Sequence, residues 1–239
     1  MRSNFFKDKN LTCVIICGGR GTRIFPLTKD IQKSMLKVVS KPLLGFVIDY
    51  WKQFTNNFIF IAAFKKEDVF NYVKTLDINY KFIYENEPKG IANALYLAKD
   101  MCSDNFIFVL GDCICKGNFK FPEKFSQGIG VWKTQNEEDI KRSYAIKIGV
   151  NKFITFVEEK PMELFNDLCG MGFYFFNKTV FDYIKKTEPS KRTGKVEITD
   201  VIKNMVNSGL EISPIFFEGD YLNVTYPGDL KKAEQILFS

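Results

Sequence analysis

Apolar and polar positions change period along this chain, and the changes mark out its elements. Leu11 to Cys17 is apolar apart from Thr12 and rich in β-branched residues, which predicts a short buried strand. Lys41 to Asn56 instead sets Leu43, Leu44, Val47, Ile48, Trp51 and Phe54 at helical spacing, an amphipathic helix with one core face. Phe58 to Ala63 then reads as a strand, Lys66 to Leu76 as a helix and Tyr80 to Tyr84 as a strand. Phe106 onwards is a central strand that ends in Gly111-Asp112. Strands alternating with helices predict parallel β-α-β units in a three-layer α/β/α sandwich with a mostly parallel, Rossmann-like sheet. Ligands in such a fold gather outside the carboxyl ends of the strands.

Beyond Lys116 the pattern is less regular. Gly128 to Lys133 and Ser143 to Ile148 alternate like strands, and Lys152 to Glu158 continues as a meander. Gly170 to Asn177 is a further strand, Val180 to Lys186 a short helix, and Lys231 to Phe238 a closing amphipathic helix. Residues 1–10 are polar and read as a flexible leader.

Composition narrows the chemistry. With 239 residues and 46% hydrophobic content, the chain can bury a core of one large domain. No apolar run reaches the roughly eighteen residues of a membrane span, and the start lacks an apolar signal core, so a cytoplasmic protein is expected. The six cysteines form no C-x-x-C pair and there is no histidine, so they read as reduced core thiols. Absence of histidine removes the commonest general base and zinc ligand, leaving carboxylates, cations and metal. The net charge of +6 suits an anionic small substrate. No basic run of five occurs and the phenylalanines sit in strands, away from clustered cations, so nucleic acid is not the expected partner.

The candidate chemistry begins where the first strand ends. Gly18, Gly19 and Gly21 let the backbone turn tightly and bring N–H groups against an anion, and Arg23 and Lys33 follow within reach. Cations near bound phosphates offset charge that grows on a leaving group. A P-loop or dinucleotide fingerprint would need a different spacing, and Gly19-Arg20-Gly21-Thr22-Arg23-Ile24 fits neither. The stretch resembles the signature of the sugar-phosphate nucleotidyltransferases, G-G-x-G-T-R-L-x-P-L-T followed by P-K-x-M-L-x-V and K-P. It matches at Gly18, Gly19, Gly21, Thr22, Arg23, Pro26, Leu27, Thr28, Lys33, Met35, Lys41 and Pro42, with Gln32 and Ser34 where the family has proline. The two lost prolines concern loop stiffness.

The resemblance extends over Leu11 to the C-terminus and implies one nucleotidyltransferase domain, 11–239. Residues 11–115 would be its nucleotide-binding half and 116–239 its acceptor-binding half, the latter carrying a small antiparallel substrate subdomain. It implies that Cys17, Gly18, Gly19, Gly21, Thr22 and Arg23 hold the triphosphate, with Gly90, Ile91 and Ala92 around the base. Glu85 stands where the family often has Gln. A carboxylate only accepts hydrogen bonds, so it favours the amino donor of cytosine over the carbonyl of uracil or thymine, and points to CTP. Asp112, in V-x-x-G-D, matches the metal-binding aspartate, and Asn223 takes the place of the second one in W-x-D-I-G-T-P-E-D-L. Its amide oxygen ligates Mg²⁺ without adding charge. Asn93, Glu159, Lys160 and Gly172 would face the acceptor, whose phosphate Lys160 neutralises. Glu197-Ile198-Thr199-Asp200 is read as structural, with Thr199 an N-cap. Ala145 replaces a glycine beside which a sugar ring would lie. With Glu85 and the modest length, that points to a CTP-using enzyme with either a sugar phosphate or a smaller acceptor such as phosphocholine or phosphoglutamine.

The resemblance thus implies a Mg²⁺-dependent enzyme with catalytic Arg23, Lys33 and Lys160. It would move a nucleoside monophosphate, CMP in preference, onto a small phosphorylated acceptor and release pyrophosphate. A UTP- or dTTP-dependent sugar 1-phosphate enzyme, a non-catalytic nucleotide-binding module and a basic RNA-binding protein stay open, as does a homo-oligomer. No membrane partner is expected.

Overall fold

The computed structural model describes residues 3–8 and 10–239. In chain order the elements are β1 (Thr12–Cys17), β2 (Lys37–Val38), β3 (Lys41–Pro42), α1 (Leu43–Trp51), β4 (Asn57–Ala62), α2 (Lys66–Val73) and β5 (Asn79–Tyr84). Then come α3 (Ile91–Leu97), β6 (Asn105–Leu110), β7 (Cys113–Lys120), β8 (Gly128–Lys133), α4 (Glu137–Arg142), β9 (Tyr144–Ile148) and β10 (Ile154–Glu159). β11 (Leu168–Asn177), α5 (Val180–Lys186), α6 (Ile198–Asn207), β12 (Ser213–Asn223) and α7 (Asp229–Phe238) close the chain.

One ten-stranded sheet runs β5-β4-β1-β6-β11-β8-β12-β7, and the antiparallel pair β9–β10 attaches beside β11. The half built from β5, β4, β1 and β6 is wholly parallel. β11 enters antiparallel between β6 and β8, β12 lies parallel to β8, and β7 returns antiparallel along β12. Helices cover both faces, because the central strands are apolar on both. Cys13, Ile15, Phe58, Phe60, Ile107 and Val109 pack under α1, α2 and α7. Their sequence neighbours Val14, Ile59, Ile61, Phe106 and Phe108 pack under α3, α5 and α6. A period of two along strands buried on both sides yields continuous apolar runs, which is why the central strands are legible in sequence.

Two expectations fail here. The leader does not fray over the described residues 3–8: Asn4–Lys7 forms a 3₁₀ turn whose Phe5 is fully buried, stacked on Phe125 at 4.8 Å and edge-on to Phe175 at 5.9 Å. Met1, Arg2 and Lys9 lie outside the described residues. The paired phenylalanines of an otherwise polar stretch were the available signal. Second, helix α4 interrupts the supposedly irregular segment. Its sequence marks were present, with Asn136 capping the Glu138 N–H at 3.3 Å, acids in the first turn and Lys141 and Arg142 in the last.

All six cysteines are buried and unpaired. Burial pushes the Cys17 thiol up to about 12, so it stays protonated at neutral pH. No helix among the described residues is long and apolar enough to cross a membrane.

Candidate active site

A cavity of about 460 Å³ opens at the carboxyl ends of β1 and β6, and the glycine loop forms one wall of it. Gly21 adopts φ +62°, and a Cβ there would stand 2.9 Å from the Thr28 methyl, so only glycine fits without displacing its neighbours. The Thr28 hydroxyl donates to the Gly21 carbonyl at 2.8 Å and fixes the turn from outside. Stiffness that the missing prolines do not supply comes from hydrogen bonds. Buried Gln32 donates through Nε2 to the Cys17 carbonyl at 2.7 Å, and its Oε1 accepts from both the N–H and the hydroxyl of Ser34 at 2.5 Å. The two departures from the family pattern therefore complement each other. Gln32→Ala is expected to cost about 1–3 kcal/mol, because it strands polar groups in a buried setting, measured as a lowered denaturant midpoint.

Lys33 reaches across the loop to Asp112, Nζ to Oδ2 2.5 Å. Asp112 follows β6 directly, so the parallel sheet delivers its carboxylate to the cavity. Its carbonyl accepts the Val224 N–H at 3.1 Å, and Asn223 pairs with Cys113 across β12 and β7. Asp112, just before β7, and Asn223, the last residue of β12, thus stand at one rim of the cavity. Two oxygen donors side by side suit a hard cation that takes its other ligands from substrate phosphates. Among the described residues no group of three or more His, Cys, Asp or Glu gathers as a metal site.

Residues from the second half of the chain close the far wall. Glu159 lies at the end of β10 and accepts the Thr199 hydroxyl at 3.2 Å. Burial raises its carboxyl pKa, while Lys160 and Arg192 pull it down. Arg192 stands 3.6 Å from Glu159 and 3.7 Å from Glu197, and the Thr193 hydroxyl donates to Glu197 at 2.8 Å. So Glu197 and Thr199 line the cavity, and Thr199 is not the N-cap of α6, a position that Glu197 holds. Arg192, Lys195, Arg142 and Tyr144, none of them marked out as site residues by the sequence, line the same cavity. The three cations stand in mixed polar context, with no periodicity to mark them.

Of the residues singled out from sequence, Gly18, Gly19, Gly21, Thr22, Arg23 and Lys33 meet at this cavity from one side. Glu85, Gly90, Ile91, Asp112, Glu159, Lys160, Gly172 and Asn223 join them. Three stand outside its wall. Cys17 is buried behind the loop, Ala92 is buried on α3, and the Asn93 amide donates to the Lys89 carbonyl at 2.8 Å. Gly172 lines the cavity, but a Cβ on it would strike Cys113 Sγ and Leu110, so packing demands the glycine. The Ala145 methyl is also clear of the cavity, buried with Ile140 and Cys169. The steric case against a sugar ring therefore falls.

Glu85 is only 7% exposed and its carboxylate lies close to Gly18. Burial raises its pKa, opposed by a backbone N–H at Lys89 and by the Lys195 charge.

A family profile described as Nucleotidyl transferase matches residues 12–225. The chain belongs to the nucleotidyl transferase family. It is 31% identical over 238 residues to the UTP--glucose-1-phosphate uridylyltransferase AglF of Haloferax volcanii, covering 95% of this chain and 96% of that one. It is 29% identical over 227 residues to the bifunctional protein GlmU of Methanocaldococcus jannaschii, covering 95% of this chain. It spans about half the length of the GlmU relatives it matches, 54% in that case. Among solved structures, a putative glucose-1-phosphate thymidylyltransferase from Bacillus anthracis in complex with a sucrose superposes with TM-score 0.81 at 25% identity, covering 94% of each chain. The inositol-1-phosphate CTP transferase of T. maritima shares the fold, with TM-score 0.82 at 16% identity over 96% of each chain.

Proposed function

We propose that this nucleotidyl transferase family member moves a nucleoside monophosphate, CMP in preference, from its triphosphate to the phosphate of a small phosphorylated acceptor. The supporting observation is the convergence of Arg23, Lys33, Asp112, Asn223 and Lys160 with the glycine loop on one cavity. An acceptor phosphate oxygen attacks the α-phosphorus, a new P–O bond forms, and the α–β bridging bond breaks with its electron pair leaving on pyrophosphate. A phosphate oxygen is anionic at neutral pH, so no general base is required. Catalysis then consists of in-line positioning and charge neutralisation. Arg23 stabilises the departing β- and γ-phosphates, Lys33 the α-phosphate, and Lys160 the incoming phosphate, while Glu159 binds the body of the acceptor. Asp112 and Asn223 would hold Mg²⁺, which supplies further charge neutralisation at the α-phosphate when bound.

A sugar phosphate is the favoured acceptor, because the Ala145 methyl leaves the cavity free and the full-length relative is named for glucose 1-phosphate. Chain length does not argue for a smaller one, since this chain covers 96% of that relative. The same relative supports a second reading, a UTP- or dTTP-dependent sugar 1-phosphate nucleotidyltransferase. Against it stands Glu85, whose carboxylate only accepts hydrogen bonds where a pyrimidine carbonyl would need a donor.

Pyrophosphate release from CTP, UTP, dTTP, GTP and ATP, over glucose 1-phosphate, other sugar phosphates, phosphocholine and phosphoglutamine, tests all of this. CTP leading supports the proposal. UTP or dTTP leading moves the assignment to the second reading, and GTP leading keeps the carboxylate readout but changes the base. Triphosphate binding without release would leave a binding module, and strong salt-dependent RNA binding an RNA-binding protein.

Base choice should follow the ionisation of Glu85. Because its folded pKa is raised, lowering the pH protonates it early, and a neutral carboxyl donates as well as accepts. The CTP-to-UTP ratio of kcat/KM is expected to fall as pH drops, and Glu85→Gln should narrow it at neutral pH. Stability follows with a defined sign. The folded state binds this proton more tightly, so the contribution is full below the ordinary carboxyl value of about 4.3 and is lost as pH rises through the raised value. Glu85→Gln should therefore match the wild-type Tm near pH 4 and gain on it towards neutral pH.

A further inference from the structure

Arg142 ends α4 and lies on the cavity wall beside Ser143, Tyr144 and Asn223. Its guanidinium is held on two sides. The flat face lies over the Tyr226 ring at 4.7 Å, and Nη1 stands 3.5 Å from Asp229 Oδ1, the outer limit of a hydrogen bond. Asp229 has other partners. Its Oδ2 accepts the N–H groups of Thr225 and Tyr226 at 2.9 Å each, and Lys232 stands 3.8 Å from Oδ1. The carboxylate charge is thus largely met before Arg142 contributes. Of the five donors of a guanidinium, Arg142 spends one, on a long contact, and its buried Nε has no partner among the described residues.

A rigidly held cation with unspent donors is costly unless something takes them. The adjoining backbone indicates what does. The Lys160 N–H donates to the Ser143 carbonyl at 2.8 Å, so the residue after Arg142 is tied to the residue placed at the acceptor phosphate. A planar guanidinium matches a phosphate bidentately, which the flexible ammonium of Lys160 does not.

We propose that Arg142 is a further acceptor-binding residue, gripping the acceptor phosphate alongside Lys160. This rests on the nucleotidyltransferase reading above. On approach of the acceptor the guanidinium keeps its place on Tyr226 and turns its free N–H groups to the phosphate oxygens. It fixes the oxygen that attacks and makes no contact with the triphosphate.

Arg142→Ala, Arg142→Lys and the wild type separate this from a purely structural role. Acceptor affinity is read twice, as KM in turnover and as calorimetric Kd for glucose 1-phosphate with a non-reactive CTP analogue in place. Loss of charged hydrogen bonds predicts a rise of about 10- to 100-fold in both for Arg142→Ala. The Kd of the CTP analogue alone should not change. Arg142→Lys should recover only part of the loss, and millimolar guanidinium should restore acceptor binding to Arg142→Ala. The proposal is overturned by unchanged acceptor KM and Kd, by a weakened CTP analogue in place of a weakened acceptor, or by loss in Arg142→Ala that guanidinium does not rescue. If Arg142→Ala fails to fold, Arg142→Lys decides alone, and wild-type acceptor affinity in it overturns the proposal. A wild type that binds the triphosphate but neither binds an acceptor nor releases pyrophosphate sinks the parent reading together with this one. Pyrophosphate release with an unaffected Arg142 variant sinks this one only.

Discussion

Arg23→Ala and Lys33→Ala are each expected to lower turnover by about 10²- to 10³-fold, the usual cost of removing one preorganised group that meets charge developing in a transition state. The two variants should differ in what else they disturb. Arg23 is exposed on the glycine loop, so its removal leaves the fold untouched. Lys33 pairs with Asp112 at 2.5 Å, with side chains 14% and 23% exposed, so solvent still reaches the carboxylate once Lys33 is gone. Partly exposed pairs contribute about 0–1 kcal/mol, and the Tm should barely move. Steady-state pyrophosphate release beside a thermal melt checks both. A variant that turns over normally refutes its assigned role, and one that melts far below the wild type shows that the ion pair holds the fold.

Gly170→Ala is expected to damage fold and site at once. The Tyr144 ring lies where the new Cβ would go, and the Tyr144 hydroxyl donates to the Met171 carbonyl at 3.0 Å. The ring is buried, stacked near-parallel to Tyr174, and both tyrosines line the cavity. The cavity it lines is open space into which a displaced ring can move. Overpacking of this kind costs about 1–3 kcal/mol or more, and the displaced ring should also raise acceptor KM with little change in triphosphate Kd. Tyr144→Phe on the same background separates the two effects, since it removes the hydrogen bond and keeps the ring. Unchanged stability in Gly170→Ala would mean that β11 shifts to accommodate the methyl.

Legibility varied with how local the cause of each feature is. The glycine loop could be read because its turn needs glycines at fixed positions and the cations follow within a few residues. Asp112 could be read because an apolar strand ending in Gly-Asp brings a carboxylate to the sheet edge wherever the strand goes. The place of Thr199 and Glu197 on the cavity wall was not legible, for the opposite reason. Their part depends on Glu159 and Arg192, brought from elsewhere in the chain and met only when β10 and α6 pack together. The Ala145 inference failed on direction, since the methyl enters the small cluster under α4 and leaves the cavity clear.

The sequence by itself determined the layered α/β architecture, the central strands, the glycine bend and the family, because periodicity, glycine conformation and ordered motif spacing are properties of short stretches. Only the tertiary structure decided which cations share one cavity, that hydrogen bonds of Gln32 and Ser34 hold the loop where the family has prolines, that Phe5 belongs to the core, and that Arg142 lines the same cavity as Lys160 with donors to spare. Those facts come from contacts between residues far apart in the chain, and their energies depend on burial and direction, which no local pattern encodes.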